Sequence, residues 1–153
     1  MAEATAFSMS QFFSELTGQH VSFAIATNAP TPKGDQMYGY YVVVADASPL
    51  LMRMSLSSIA LMGGALMGLP ADAALERVRA AQVDEPLRDA MHEVLNIAST
   101  AFSPDERIVF KGMSRSIDVF PTGVKDLLQK ASRKASYRVA VNGSTAELLT
   151  LAQ

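Results

Sequence analysis

No cysteine occurs in this chain of 153 residues, which excludes disulfides and any thiolate metal or redox site. Histidine is nearly as scarce. His20 and His92 are the only two, too few for a His-rich zinc site. Positive charge is not in excess either. Thirteen Lys and Arg stand against fifteen Asp and Glu, a net charge of −2, so there is no general drive toward nucleic acid or an anionic membrane. Neither is expected as a partner. A long hydrophobic run is also missing. The longest, Leu56 to Leu69, is broken by Ser57, Ser58, Gly63, Gly64 and Gly68. A membrane span needs ~20 predominantly apolar residues, so this segment reads as a buried helix. Met1 to Phe13 carries Glu3 and no Lys or Arg, unlike the basic start of a secretory signal. The expected address is cytoplasmic. Familiar reaction motifs are absent as well: there is no HExxH, no P-loop and no GxGxxG. Met62-Gly63-Gly64 lacks the GK[ST] ending of a phosphate loop.

What is present is enough to fold. Hydrophobic residues make up 49% and charged residues 18%, a composition that supports a core and excludes a disordered tail. The length suggests one domain over residues 1–153. Ser8 to Leu16 reads as a helix ended by Gly18, and Val21 to Thr27 alternates as a strand. Asn28 to Asp35, with Pro30, Pro32 and Gly34, reads as a turn. Met37 to Val44 and Leu50 to Leu56 are two more strands, separated by the turn Asp46 to Pro49. Ser57 or Ser58 would cap a helix running to about Leu69. Its glycines weaken it alone, so close packing must hold it. Ala73 to Ala81 is a short helix. Asp84, Glu85 and Pro86 make a strong start for another that runs to about Phe102, where Ser103-Pro104 stops it. Ile108 to Ile117 is a strand. Val124, Leu127, Leu128, Ala131 and Ala135 share one face at helical spacing, so this stretch reads as an amphipathic helix. Asn142-Gly143 between apolar runs is a strong hairpin signal. Helices grouped in mid-chain predict an α+β fold, a mostly antiparallel sheet covered by a central pair of helices.

The helix beginning at Leu87 carries the functional reading. At 100° per residue, Asp89, Glu93, Asn96 and Thr100 fall at about 0°, 40°, −20° and 20°. Leu87, Met91, Val94, Leu95, Ala98, Ala101 and Phe102 fall between about 120° and 240°. One face is core and the other is a narrow polar stripe. Every surface helix has a polar face, but Asn is a mediocre helix former, and nothing local requires it at position 96. His92, at about −60°, flanks the stripe and is either solvated or part of a docking surface. Methionines such as Met52, Met54, Met62 and Met67 sit in apolar segments and read as core. Lys125, Lys130, Arg133, Lys134 and Arg138 read as the solvated side of the amphipathic helix.

Asp89-x-x-x-Glu93-x-x-Asn96, within DAMHEVLNIASTAF, resembles the signature of the CheC/CheX/FliY chemotaxis phosphatases. Ala65-Leu66-Met67-Gly68 resembles the family's apolar helix ending in a Met-Gly step, and Asp118 to Thr122 its strand-to-proline segment. One such motif is present, and Glu15 has Gly18 rather than Asn three residues on. The resemblance is therefore to the single-site CheX-like type. It implies hydrolysis of the aspartyl phosphate of a CheY-like receiver domain. Asn96 would orient the attacking water and Glu93 would dock the receiver's lysine. Asp89, His92 and Thr100 would line the docking surface. The protein would need no cofactor or metal of its own, because the receiver supplies Mg²⁺. It also implies a homodimer that pairs or exchanges sheet strands, with the Lys125–Ala135 segment an insertion placed to alter that edge. A helix cut short at Ser103-Pro104 leaves a second reading open: a CheX-like module that binds a receiver or another signalling partner without catalysis.

Overall fold

A computed structural model describes residues 5–27, 32–144 and 147–153. Residues 28–31 of the turn expected before the second strand, and 145–146 of the closing hairpin, lie outside the described residues. Helix α1 (Ala6–Thr17) is followed by strands β1 (Val21–Ile25), β2 (Gln36–Val43) and β3 (Pro49–Ser55). Helices α2 (Leu56–Leu66), α3 (Ala71–Arg79) and α4 (Glu85–Ala98) come next. Strand β4 (Ile108–Ser114), the single helical turn α5 (Leu127–Lys130) and strands β5 (Lys134–Val141) and β6 (Glu147–Ala152) complete the chain. The six strands form one antiparallel sheet in the order β1-β5-β6-β3-β2-β4. This is the expected α+β architecture.

Register explains which side chains are core. Tyr41 pairs with Leu50, Gly39 with Met52, Leu151 with Met52, Leu149 with Tyr137 and Val139 with Phe23. Cross-strand partners share a face. These residues are buried beneath α1, α2 and α4 in one cluster with Met9, Phe13, Ile59, Met62, Met91 and Val94. Met52, Met54 and Met62 are core as expected, whereas Met67 is 41% exposed.

The helix boundaries follow local chemistry. Gly18, in the left-handed region at φ 67°, ends α1. The cap of α2 is Ser55 rather than Ser57 or Ser58: its hydroxyl accepts from the Ser58 amide at 3.1 Å, so the helix starts directly on leaving β3. Asp84 caps α4 by accepting from the Leu87 amide at 3.2 Å, with Pro86 in the first turn.

Four further expectations, about strand pairing and the path from β4 to β5, differ from the structure. First, β1 and β2, consecutive strands joined by a turn and so expected to run antiparallel as neighbours, do not pair. Strand β1 lies at the sheet edge against β5, with Val21 opposite Val141 and Ile25 opposite Tyr137. Second, the helix expected over Val124 to Ala135 is only the turn α5, and Ala135 stands in β5 opposite Leu151. Ala135, Tyr137, Val139 and Val141 alternate, so the last apolar residue of the helical pattern is also the first of a strand pattern. Ladder hydrogen bonds to β6 decide between them. Third, the segment is not set against an outer strand. The connection from β4 to β5 has to pass three intervening strands, and it does so behind the sheet. Phe120 packs on Tyr40 at 5.6 Å, and Leu51 and Val124 are buried outside the main core. Fourth, Asp118 to Thr122 is not the end of a strand. β4 stops at Ser114, and Ile117–Val119 is a single 3-10 turn that begins with the Ser116 hydroxyl accepting from the Asp118 amide.

The β1 edge is closed by α1. The Phe23 amide donates to Ser10 Oγ at 2.8 Å, and the Val21 amide donates to Ser14 Oγ at 3.0 Å. Serines at i and i+4 on the helix match alternate residues on the strand, about 6 Å in one case and 7 Å in the other. A helix therefore satisfies groups that an edge strand otherwise presents to other chains.

Candidate functional site

The stripe on α4 is formed as the wheel predicts. Asp89, Glu93 and Asn96 are exposed, while Leu87, Met91, Val94, Leu95 and Ala98 on the opposite side are buried. Glu93 and Asn96 are one i, i+3 step apart, about 4.5 Å along the axis. Their side chains point to the same side. Among the described residues, the side chains of Asp89, Glu93 and Asn96 take part in no ion pair and no hydrogen bond. They are free to meet a partner. His92 is also exposed, but it is not simply solvated. Its ring meets Phe110 of β4 edge to face, with centroids 4.8 Å apart, which fixes one border of the stripe.

Thr100 differs from its expected position. The helix ends at Ala98 rather than near Phe102, so Thr100 lies in the turn beyond it, exposed but off the helical stripe. The cause is visible in the last four carbonyls, which a helix leaves without intrahelical partners. The Ser99 hydroxyl donates to Asn96 O at 2.8 Å and the Thr100 hydroxyl to Ile97 O at 2.9 Å. The amides of Ser99, Thr100 and Ala101 turn back to Asn96, Ile97 and Ala98 in short i, i+3 bonds. Leu95 O receives the Tyr41 hydroxyl, 2.7 Å away and fully buried. Hydroxyl side chains that bond back to the backbone compete with helix continuation, and the helix unwinds two residues past Asn96.

Tyr41 and Gly63 are the residues that sequence reasoning missed at this site. Tyr41 reaches from β2 to the residue preceding Asn96, its ring wedged against Phe102 at 4.9 Å and Phe110 at 5.2 Å. Burial pushes its phenol well above the ordinary value. Only alternation marks Tyr41 in the sequence as an inward residue, and nothing there announces its partner. Gly63 explains the glycines of α2. A Cβ at that position would sit 2.9 Å from the backbone N of Met91 and 2.9 Å from Met91 Cγ. The two helices cross where only hydrogen fits. The back of α4 is thus held by a close helix crossing, a buried hydroxyl and a capped N-terminus, and its front is unoccupied. Among the described residues, no group of three or more His, Asp or Glu side chains is placed to hold a metal ion. No helix among them is long and apolar enough to cross a membrane.

No protein-family model matches the sequence, and no curated protein matches it either. Solved structures do match. FliY of Thermotoga maritima superposes with a TM-score of 0.60 at 11% identity, over 97% of this chain and 83% of that one. FliM in a FliG–FliM complex from H. pylori gives 0.55 at 12% identity, over 97% and 86%. The FliM middle domain from H. pylori gives 0.54 at 12% identity, over 96% and 83%. This chain has the CheC/CheX/FliY fold. At such low identity the likeness extends to the fold.

Proposed function

We propose that this CheC/CheX/FliY-fold protein is a phosphatase for the aspartyl phosphate of a CheY-like receiver domain. The observation that carries the reading is the pair Glu93 and Asn96: exposed, unpaired and one helical step apart on an outer face whose inner side is locked in place. A carboxamide offers one donor group and one acceptor. The Asn96 side chain would hold a water by both and aim its oxygen at the phosphorus, opposite the aspartyl oxygen. The water oxygen forms the new P–O bond while the aspartyl O–P bond breaks. The aspartate leaves as carboxylate, and the proton of the water departs with inorganic phosphate. Positioning of this kind supplies rate without a covalent intermediate. Glu93 would pair with the receiver's lysine and set the register of docking. Asp89 and His92 would border the contact, with Thr100 at its end beyond the helix. Mg²⁺ would come with the receiver, and this chain would supply no metal ligand. A homodimer remains part of the proposal, and β4 is the sheet edge that α1 does not close.

A second reading is favoured by the abrupt end of α4, which leaves Asn96 within one turn of unwound backbone. It is a module that docks a signalling protein without hydrolysis. The structurally similar FliM of H. pylori was solved in complex with FliG, so this fold serves as a docking surface in that protein. The test is loss of phosphate from phosphorylated, Mg²⁺-loaded receivers, with native protein and with Glu93→Ala/Asn96→Ala. Acceleration by the native protein alone is the expected result. Binding without acceleration would select the docking module.

A further inference from the structure

A cavity of about 340 Å³ opens on the flank of α4, away from the Glu93–Asn96 pair. Its floor is Met37, Leu56 and Met91, all buried, and Val83 and Met113 form half-buried walls. The mouth is basic. Arg115 is tied to Asp35 at 2.8 Å, so that pair is neutral. Arg88 also lines the cavity, is exposed, and has no side-chain partner among the described residues. The rim therefore carries one uncompensated positive charge above the apolar side chains of the floor. With Asp35, Arg88, Ser114 and Arg115 the lining is about as polar as it is apolar, which suits an amphiphile, and the volume falls at the low end of the range usual for small-molecule sites.

The thioethers of Met37, Met91 and Met113 adapt to irregular apolar shapes. A guanidinium recognises a carboxylate by two parallel hydrogen bonds. We infer that this cavity binds a small amphiphilic monocarboxylate, its hydrocarbon among the methionines and its carboxylate on Arg88. The inference is independent of the phosphatase reading, since no residue of the cavity belongs to the Glu93–Asn96 pair.

Octanoate has a suitable size and is the probe. The full chain, with ¹³C-methyl methionine, would be titrated with octanoate, 1-octanol and octylamine. Saturable shifts are expected at Met37, Met91 and Met113, and not at Met9, Met52 or Met62 in the core. Octanoate should bind about two- to fivefold more tightly than octanol, the gain expected of an ion pair at an exposed rim. Octylamine should not saturate. Arg88→Ala changes an exposed side chain and should fold normally. It should weaken octanoate about two- to fivefold while leaving octanol unchanged. Val83→Trp, which fills the wall, should abolish both. Equal binding of octanoate and octanol, no effect of Arg88→Ala, or shifts spread over all methionines would overturn the inference.

Discussion

Replacing Tyr41 with Phe isolates one interaction that holds the end of α4. The ring and its contacts with Phe102 and Phe110 stay, and a single hydroxyl is removed. What is lost is the 2.7 Å bond to the buried carbonyl of Leu95, to which the amides of Ser99, Thr100 and Ala101 past the helix end do not donate. A buried acceptor left without a partner costs about 1–3 kcal/mol. For a chain of this size the urea slope is about 1–3 kcal/mol per M, so the unfolding midpoint should fall by roughly 1 M with an unchanged slope. pH provides an independent signature. Burial raises the folded pKa of Tyr41, whereas in the unfolded chain it titrates near about 10. Below that value the hydroxyl is protonated in both states and its contribution is intact. As pH rises above it, the unfolded state ionises first and the folded state holds more protons, so stability falls by up to about 1.4 kcal/mol per pH unit until the raised pKa is reached. The difference between native protein and Tyr41→Phe should therefore shrink above about pH 10. An unchanged urea midpoint, or a difference constant through pH 11, would refute the role given to this hydroxyl.

Gly63→Ala gains about 1 kcal/mol of helix propensity but forces Met91 backbone to move, an overpacking cost of about 1–3 kcal/mol. Net destabilisation of about 1 kcal/mol is expected by chemical denaturation, and a stabilised variant would contradict the close crossing. Asp84→Ala should lose about 1 kcal/mol through the N-cap. Asp84→Asn should restore most of it, because the ion pair with Arg77 is half exposed and contributes little. If Asn were as costly as Ala, the pair rather than the cap would be responsible. Ser10→Ala/Ser14→Ala should speed amide hydrogen exchange at Val21 and Phe23, whose donors it leaves on an open edge. Unchanged protection there would mean that α1 does not close that edge.

The polar stripe was legible because α4 is amphipathic and begins with a strong cap, so a wheel places Asp89, Glu93 and Asn96 correctly. Its end was not, since Ser99 and Thr100 act through hydroxyls and Tyr41 acts from 54 residues away. Gly63 and Gly64 announced close packing, but only the structure shows that Met91 is the neighbour of Gly63 and Ala74 that of Gly64. Ala135 belongs to two periodicities, and pairing with Leu151, which no local pattern contains, decides for strand. The same applies to β1. Alternation identifies it as a strand, but its partner β5 lies more than a hundred residues away. Elements and faces are local properties. Partners and terminations are tertiary ones.

The most direct test of the central proposal is single-turnover loss of phosphate from Mg²⁺-loaded receivers of the same genome. Each would be measured with native protein, with Asn96→Ala and with Glu93→Ala, all three checked for fold by circular dichroism. Both residues are exposed, so stability should change by no more than about 0.5 kcal/mol. The account predicts faster hydrolysis of at least one receiver by native protein. Asn96→Ala should lose that rate while still binding the receiver, and Glu93→Ala should lose binding as well. A folded native protein that binds a receiver and leaves its phosphate lifetime unchanged would contradict it.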